Sequence, residues 1–256
     1  MRDDVVAAAH TTLASGSARV LRRRFRASGE VVTTEDGVTD FAARRTRAQL
    51  VAGDGLAEWA ERLDTQVNQR WPWLHDAFAS EGGPMVTVYA GTAHFLGAPD
   101  APTPIGNGDP NANRRAPGDP AWMIDALCAA RVTSARIDDA HRSFELDLAR
   151  LHGALEIPPH SASTPPRLVG EAWIDGDGRL RRVTSRTGTY SRRPRSPVEA
   201  PTQRGSELLE LWDFGVAAEI EVPHIETRLP GAGLVDWARI GWDLRRRRRE
   251  HRNAAG

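Results

Sequence analysis

The stretch "RLVGEAWIDGDGRLRRVTSRTGTY", residues 167–190, decides the fold. Two runs that alternate apolar and polar residues flank Asp-Gly-Asp-Gly, and this combination is the strongest short-range signal of a β-hairpin. A two-residue turn at Gly176-Asp177 would place Trp173 opposite Leu180 on one face of the hairpin. Because such short connections cannot join parallel strands, the stretch predicts an antiparallel sheet.

A second stretch, "SELLELWDFGVAAEIEVP" at residues 206–223, extends this hairpin into a three-strand meander. Leu209 and Leu211 fall on one face of the predicted strand, as the two-residue period of a strand requires. Gly215 permits a bend, after which residues 216–222 are expected to resume the strand.

Several motifs resemble the LppX/LprG-type bacterial lipoproteins, which are relatives of the LolA lipoprotein carrier. "WIDGDGRLRRVTSR" followed by "LELWDFGVAAEIEVP" is similar to the closing hairpin and final strand of that family. "AAAHTTLASGSARVLRRRFRASGE" resembles its opening helix and first strand, and "DGVTDFAARRTRAQL" its second strand. The resemblance implies an α+β fold, a strongly curved antiparallel half-barrel sheet with helices covering the concave side.

The resemblance also implies a function, that of a non-catalytic binding protein holding an apolar, acyl-type ligand between sheet and helices. Apolar burial makes little directional demand on such a ligand. The alternative is the same fold with a filled cavity, acting as a structural or regulatory protein-interaction domain, and an unrecognised enzyme is a third reading. The residues expected to line a cavity are Leu21, Phe25, Phe41, Val88, Phe144, Leu146, Leu148, Leu209 and Leu211.

Length and pattern predict one main domain over residues 1–228, with a helical insertion at about residues 55–80. Residues 229–256 are expected to form a C-terminal amphipathic helix and a basic tail. The five consecutive arginines Arg245–Arg249 could contact an anionic membrane surface or a protein partner. The balance of 34 basic against 34 acidic side chains argues against a specific nucleic-acid partner.

Nothing in the sequence indicates catalysis, a metal or a cofactor. The eight histidines are scattered, and neither a His-Glu-x-x-His nor a Cys-x-x-Cys motif is present. The single cysteine, Cys128, falls in an apolar helical pattern rather than near the start, where the resembled lipoproteins carry a lipid-modified cysteine. No signal peptide is apparent, so the expected location is the cytoplasm, or the envelope if the true start lies upstream.

The remaining pattern predicts how each strand is oriented. In the strand after Gly16, Leu21 and Phe25 are expected to face inward and Arg22 outward. A turn at residues 35–37 should lead into a second strand over residues 38–50.

Further along, residues 100–120 are rich in Pro, Gly and Asn, and they predict a mobile loop. Residues 121–130 predict a helix, and residues 142–149 a strand with its apolar side chains inward.

Overall fold

A computed structural model describes residues 3–53, 85–104, 108–116, 118–147, 167–189 and 202–223. The helices within these described ranges are α1 (Asp4–Ala14) and α2 (Trp122–Ala129). Its strands are β1 (Ser17–Phe25), β2 (Val31–Asp40), β3 (Arg45–Ala52), β4 (Met85–Ala90), β5 (Ala93–Ala98), β6 (Ala101–Pro104), β7 (Val132–Arg136), β8 (His141–Asp147), β9 (Arg167–Ile174), β10 (Leu180–Thr189) and β11 (Thr202–Trp212). The predicted insertion, the C-terminal helix and Arg245–Arg249 lie outside the described residues.

All eleven described strands belong to one sheet in the order β6-β5-β4-β3-β2-β1-β11-β10-β9-β8-β7. Every neighbouring pair is antiparallel, which confirms the prediction from the Asp-Gly hairpin. The sheet is therefore two meanders, β1–β6 and β7–β11, joined where β1 pairs with β11. Within the described chain it does not close, and β6 and β7 form its edges.

Both helices pack on one face of the sheet, which we call the helix face. The Asp3 carboxylate caps α1 by accepting the Val5 N–H, and it also accepts the N–H and hydroxyl of Ser134 on the edge strand β7. The apolar residues of α1 and α2 form one buried cluster with Val20 on β1 and Leu209 on β11. That the helix face is concave remains a prediction.

On β1 the expected orientation is reversed. Val20 and Arg22 are buried on the helix face, whereas Leu21 lies half-buried on the opposite face. The strand itself is confirmed, but the outward orientation predicted for Arg22 is wrong. Arg22 is buried because it has an acidic partner on the neighbouring strand, which the pattern of a single strand cannot show.

The turn between β1 and β2 lies at residues 26–30, so its predicted place at residues 35–37 is wrong. A second turn at residues 41–44 divides the predicted strand over residues 38–50 between β2 and β3. Glu35 is buried in the middle of β2, and Gly37 pairs with Ala48 on β3. A Cβ atom on Gly37 would lie 2.0 Å from the Arg47 carbonyl oxygen. Only glycine, which has no Cβ atom, allows the two backbones to approach this closely. Because glycine is also common in turns, a glycine of this kind looks like a turn residue in the sequence.

The hairpin between β9 and β10 exists, but its turn is longer than two residues. The Asp175 N–H donates to the Arg179 carbonyl, and Gly178 has a φ of 78°. Leu180 therefore pairs with Ile174 rather than with Trp173, and the register shifts before Arg182. A left-handed glycine after a turn is the usual form of a three-residue hairpin loop.

Replacing Gly178 with alanine is expected to lower the free energy of unfolding by roughly 1–2 kcal/mol, because an L-residue is strained at positive φ. No atom lies within 4 Å of a Cβ added there, so the cost is conformational and not steric. Gly176→Ala is the matched control, since its Cβ also meets nothing within 4 Å and its φ is not in the left-handed range. Chemical denaturation of both variants measures the difference, and equal losses would contradict the turn geometry.

Residues 216–222 were expected to form a strand, but residues 216–223, which we call the crossing segment, are not part of the sheet. The segment keeps the alternation of a strand, with Val216 and Ile220 facing inward and Glu219 exposed. The Ser17 hydroxyl donates to the Val216 carbonyl, and the Arg45 guanidinium donates to the Ile220 carbonyl. The segment thus runs over the ends of β1 to β3 instead of pairing along them.

The region predicted as a mobile loop contains a strand and buried polar contacts in the residues that the structure describes. Residues 101–104 form β6, and Arg115 and Asp119 are both buried at 2.7 Å from each other. Asp119 also accepts hydrogen bonds from the Thr46 hydroxyl and the Ala121 N–H. These polar contacts anchor the loop to the sheet, and its Pro-rich composition does not reveal them. Among the described residues no helix is long and apolar enough to span a membrane.

Candidate functional site

A pocket of about 360 Å³ lies on the sheet face opposite the helices and is partly open to solvent. Its floor comes from neighbouring strands and one wall from the crossing segment. This volume is at the lower end of the range for ligand pockets, roughly 300–1,000 Å³. The lining residues are Arg19, Gly37, Val38, Arg47, Ala48, Gln49, Val86, Val216 and Ala217.

Strand register explains why these side chains meet. Val38 on β2 pairs with Arg19 on β1 and with Arg47 on β3, and paired residues share a face. Two guanidiniums therefore flank one apolar side chain. Val216 and Ala217 reach the same place because the crossing segment is bonded to the start of β1.

The two arginines of the pocket have different partners. Arg19 Nε lies 3.4 Å from an Asp213 carboxylate oxygen, and both side chains are more than half exposed, at 53% and 62%. Arg47 donates from Nη2 to the Pro99 carbonyl at 3.0 Å, a neutral acceptor. The pocket thus combines an apolar floor with two guanidiniums at its sides, Arg19 exposed and Arg47 half-buried.

A separate polar cluster is buried on the helix face. Arg22, only 1% exposed, forms an ion pair with Glu35, and the Tyr89 hydroxyl donates to the same carboxylate at 3.1 Å. The Tyr89 ring stacks on His94 with 4.3 Å between centroids, and His94 Nε2 lies 2.8 Å from the Thr87 hydroxyl. One signal of this cluster is visible in the sequence, because Arg22 falls on the same face of the strand as the apolar Val20.

The protonation states in this cluster are fixed near neutral pH. Burial alone would lower the pKa of Arg22, but the attraction of Glu35 outweighs it and raises that pKa. Burial, aided by the negative charge of Glu35, raises the pKa of Tyr89. Burial lowers the pKa of His94 to about 4, so its imidazole is neutral. The cluster holds a charged pair beside two neutral rings, which suits a structural role better than proton transfer.

The residues predicted to line a ligand cavity do not lie in one place. Val88 is fully buried and faces away from the helices, as Leu21 does, and Phe25 is half-buried. Leu148 is outside the described residues. The others belong to the buried cluster between sheet and helices: Phe41, Phe144, Leu146, Leu209 and Leu211. That they contact a ligand stays a prediction.

No group of three or more His, Cys, Asp or Glu side chains in the described part of the chain is placed to hold a metal ion. The pocket is not predicted from the sequence, because Arg19 and Arg47 belong to different strands and the pattern of the crossing segment predicts a strand. The only signal in the sequence is the alternation within residues 216–222.

Comparison with known proteins gives a likeness of fold only. No protein-family model matches the chain, and no curated protein matches it. Among solved structures, the chain resembles LprF from Mycobacterium bovis, with 10% identity over 87% of this chain and 96% of that one and a TM-score of 0.44. It also resembles lipoprotein LppX from Mycobacterium tuberculosis, with 11% identity over 85% and 98% and a TM-score of 0.42. These likenesses are too loose to carry an argument about function.

Proposed function

We propose that this protein is a non-catalytic binding protein for an apolar, acyl-type ligand, and that the ligand lies in the pocket opposite the helices. The observation that carries the proposal is the apolar lining of that pocket, to which Val38 and Val86 contribute from the sheet and Val216 from the crossing segment. A flexible alkyl chain gains its binding free energy from apolar area removed from water and needs few directional contacts. The sequence motifs that resemble lipid carriers support the same ligand class.

Two of the predicted cavity residues fit this location. Leu21 pairs with Asp36 on the strand that supplies Val38, and Val88 pairs with Arg47 across β3 and β4. Because paired residues share a face, both lie beside the pocket on the same side of the sheet. Both therefore flank the pocket, although neither is among its lining residues.

The pocket can be filled from the crossing segment without disturbing the sheet. Ala217 is exposed and belongs to no strand, so Ala217→Trp should fold normally and occupy the pocket with its indole ring. We expect this variant to bind a fluorescent dodecanoyl probe at least tenfold more weakly than the wild type in an equilibrium titration. Glu219→Trp is the matched control, because it adds the same ring at an exposed position of the same segment outside the pocket.

The earlier expectation, a ligand between sheet and helices, is tested by the same titration. Leu146 is fully buried in the cluster beneath the helices. If the alkyl chain lies there, Leu146→Ala enlarges its site and changes the affinity, whereas Ala217→Trp has no effect. The opposite pattern supports the pocket.

The second candidate function is that of a protein-interaction domain whose interior is filled by its own side chains and binds no ligand. It is favoured by the packing beneath the helices, where Val5, Ile124 and Leu127 are fully buried together with strand residues. Well-packed interiors leave few voids larger than a water molecule. Wild-type protein that takes up no dodecanoyl probe at any concentration below its critical micelle concentration would leave this candidate in front.

A further inference from the structure

We infer that the ligand of this pocket carries an anionic head group, a carboxylate or a phosphate monoester, bound by Arg19 and Arg47. The inference rests on the proposed function, since it specifies the charge of the same ligand. Both arginines line the pocket, and both pair with Val38, one from each side. Their backbones are two strand spacings apart, about 10 Å, so their long side chains can converge above Val38.

The present partner of Arg19 shows what the ligand would replace. Asp213 is a carboxylate 3.4 Å from Arg19 Nε, at the junction between β11 and the crossing segment. An exposed ion pair of this kind contributes little free energy, so a second carboxylate or a phosphate can take its place. A guanidinium binds both groups through paired, charge-assisted hydrogen bonds. Asp213 therefore acts as an internal competitor for the head group.

Arg47 would gain from the same exchange. Its Nη2 donates to the carbonyl of Pro99, a neutral acceptor at an exposed position. A hydrogen bond to an ionised acceptor is roughly twice as strong as a neutral one. A head group between the two arginines replaces one weak ion pair and one neutral contact, while Val38 and Val86 hold the first carbons of the alkyl chain.

The sharpest test is a variant that should bind more tightly. Asp213→Asn removes the competing charge, and asparagine tolerates the left-handed backbone at this position, where φ is 48°. We expect the variant to bind dodecanoate about two- to fivefold more tightly than the wild type, the range set by exposed ion pairs. Its affinity for dodecanol, which has the same chain and no charge, should not change. Isothermal titration calorimetry of the full chain measures both.

The complementary variants remove the positive charges. Arg19→Gln and Arg47→Gln should each weaken dodecanoate binding about two- to fivefold and leave dodecanol binding unchanged. Arg23→Gln is the matched control, because Arg23 is exposed on the same face of β1 but does not line the pocket. Higher salt should reduce the difference between dodecanoate and dodecanol in the wild type, since exposed charges are screened.

The possible outcomes separate this inference from the proposed function. Equal affinity for dodecanol and dodecanoate, with no response to Asp213→Asn, overturns the head-group inference but keeps the acyl-binding proposal. Failure of every alkyl compound to bind overturns the proposal itself. Inorganic phosphate that displaces the probe as well as dodecyl phosphate overturns both, since the site then binds a free anion. A preference for dodecyl phosphate or for dodecanoate identifies which head group the arginines select.

Discussion

Replacing Glu35 with alanine is expected to lower the free energy of unfolding by about 3–5 kcal/mol. The substitution leaves the Arg22 guanidinium, 1% exposed, without its ion-pair partner, and the Tyr89 hydroxyl without its acceptor. Glu207, at 4.0 Å from Arg22, is too far away to replace the lost hydrogen bonds. The loss of stability is therefore mainly the cost of keeping the Arg22 charge buried without a carboxylate beside it. Urea denaturation followed by circular dichroism measures it.

Two comparisons isolate this cause. Glu210→Ala removes a partly exposed carboxylate that lies 4.0 Å from Arg182, and it should cost less than about 1 kcal/mol. The double variant Arg22→Leu/Glu35→Leu removes both charges, so it should be less destabilised than Glu35→Ala alone. If the double variant is at least as unstable as Glu35→Ala, the Arg22–Glu35 pair adds net stability to the fold, and its two charges do more than neutralise each other.

Acidification should destabilise the protein through His94 before most carboxylates are protonated. The pKa of this imidazole is lowered to about 4 by burial, with Arg22 and Arg24 adding to the effect. The unfolded chain binds a proton at His94 below about pH 6.5, whereas the folded chain does not until about pH 4. The stability from this group is complete above pH 6.5 and is lost as the pH falls from 6.5 to 4. By linkage, the free energy of unfolding falls by about 2 kcal/mol between pH 7 and pH 5 because of this group.

The variant His94→Gln cannot gain this proton, so its free energy of unfolding should fall less steeply between pH 7 and pH 5 than that of the wild type. His10→Gln is the control, because His10 is exposed on α1 and the substitution should preserve the wild-type slope. Parallel slopes for the wild type and His94→Gln would show that the buried cluster does not exclude the proton. Denaturation curves at several pH values provide the comparison.

Features set by a few consecutive residues are predicted correctly from this sequence, whereas features that two strands supply jointly are not. The Asp-Gly hairpin, the bend at Gly215 and the inward placement of Phe144 all follow from a few consecutive residues, and the structure shows them. The burial of Arg22 depends on Glu35, which is thirteen residues away and opposite it only because of the β1–β2 register. An arginine with a buried partner and an arginine in water look the same in a single strand.

The candidate site was hidden for the same reason. Arg19 and Arg47 are neighbours of Val38 only once three strands are in register. The crossing segment has the alternation of a strand because one side of it faces the protein. Alternation indicates that one side of an extended chain is buried, and it does not indicate hydrogen bonding to a neighbouring strand. Half-buried extended chain and an edge strand therefore share one sequence pattern.

The pairing of β1 with β11 has a consequence for how the chain emerges during synthesis. β1 is made early and pairs with β2 on one side, but its other edge has no partner until β11 has been translated. At roughly 5–20 residues per second, the intervening chain takes on the order of 10–40 s to be made. During that time the first meander exposes an open strand edge bearing Val20, the kind of edge that pairs with other chains. Slower translation after β6 should therefore favour aggregation of nascent protein, and faster synthesis or a chaperone that holds the β1 edge should oppose it.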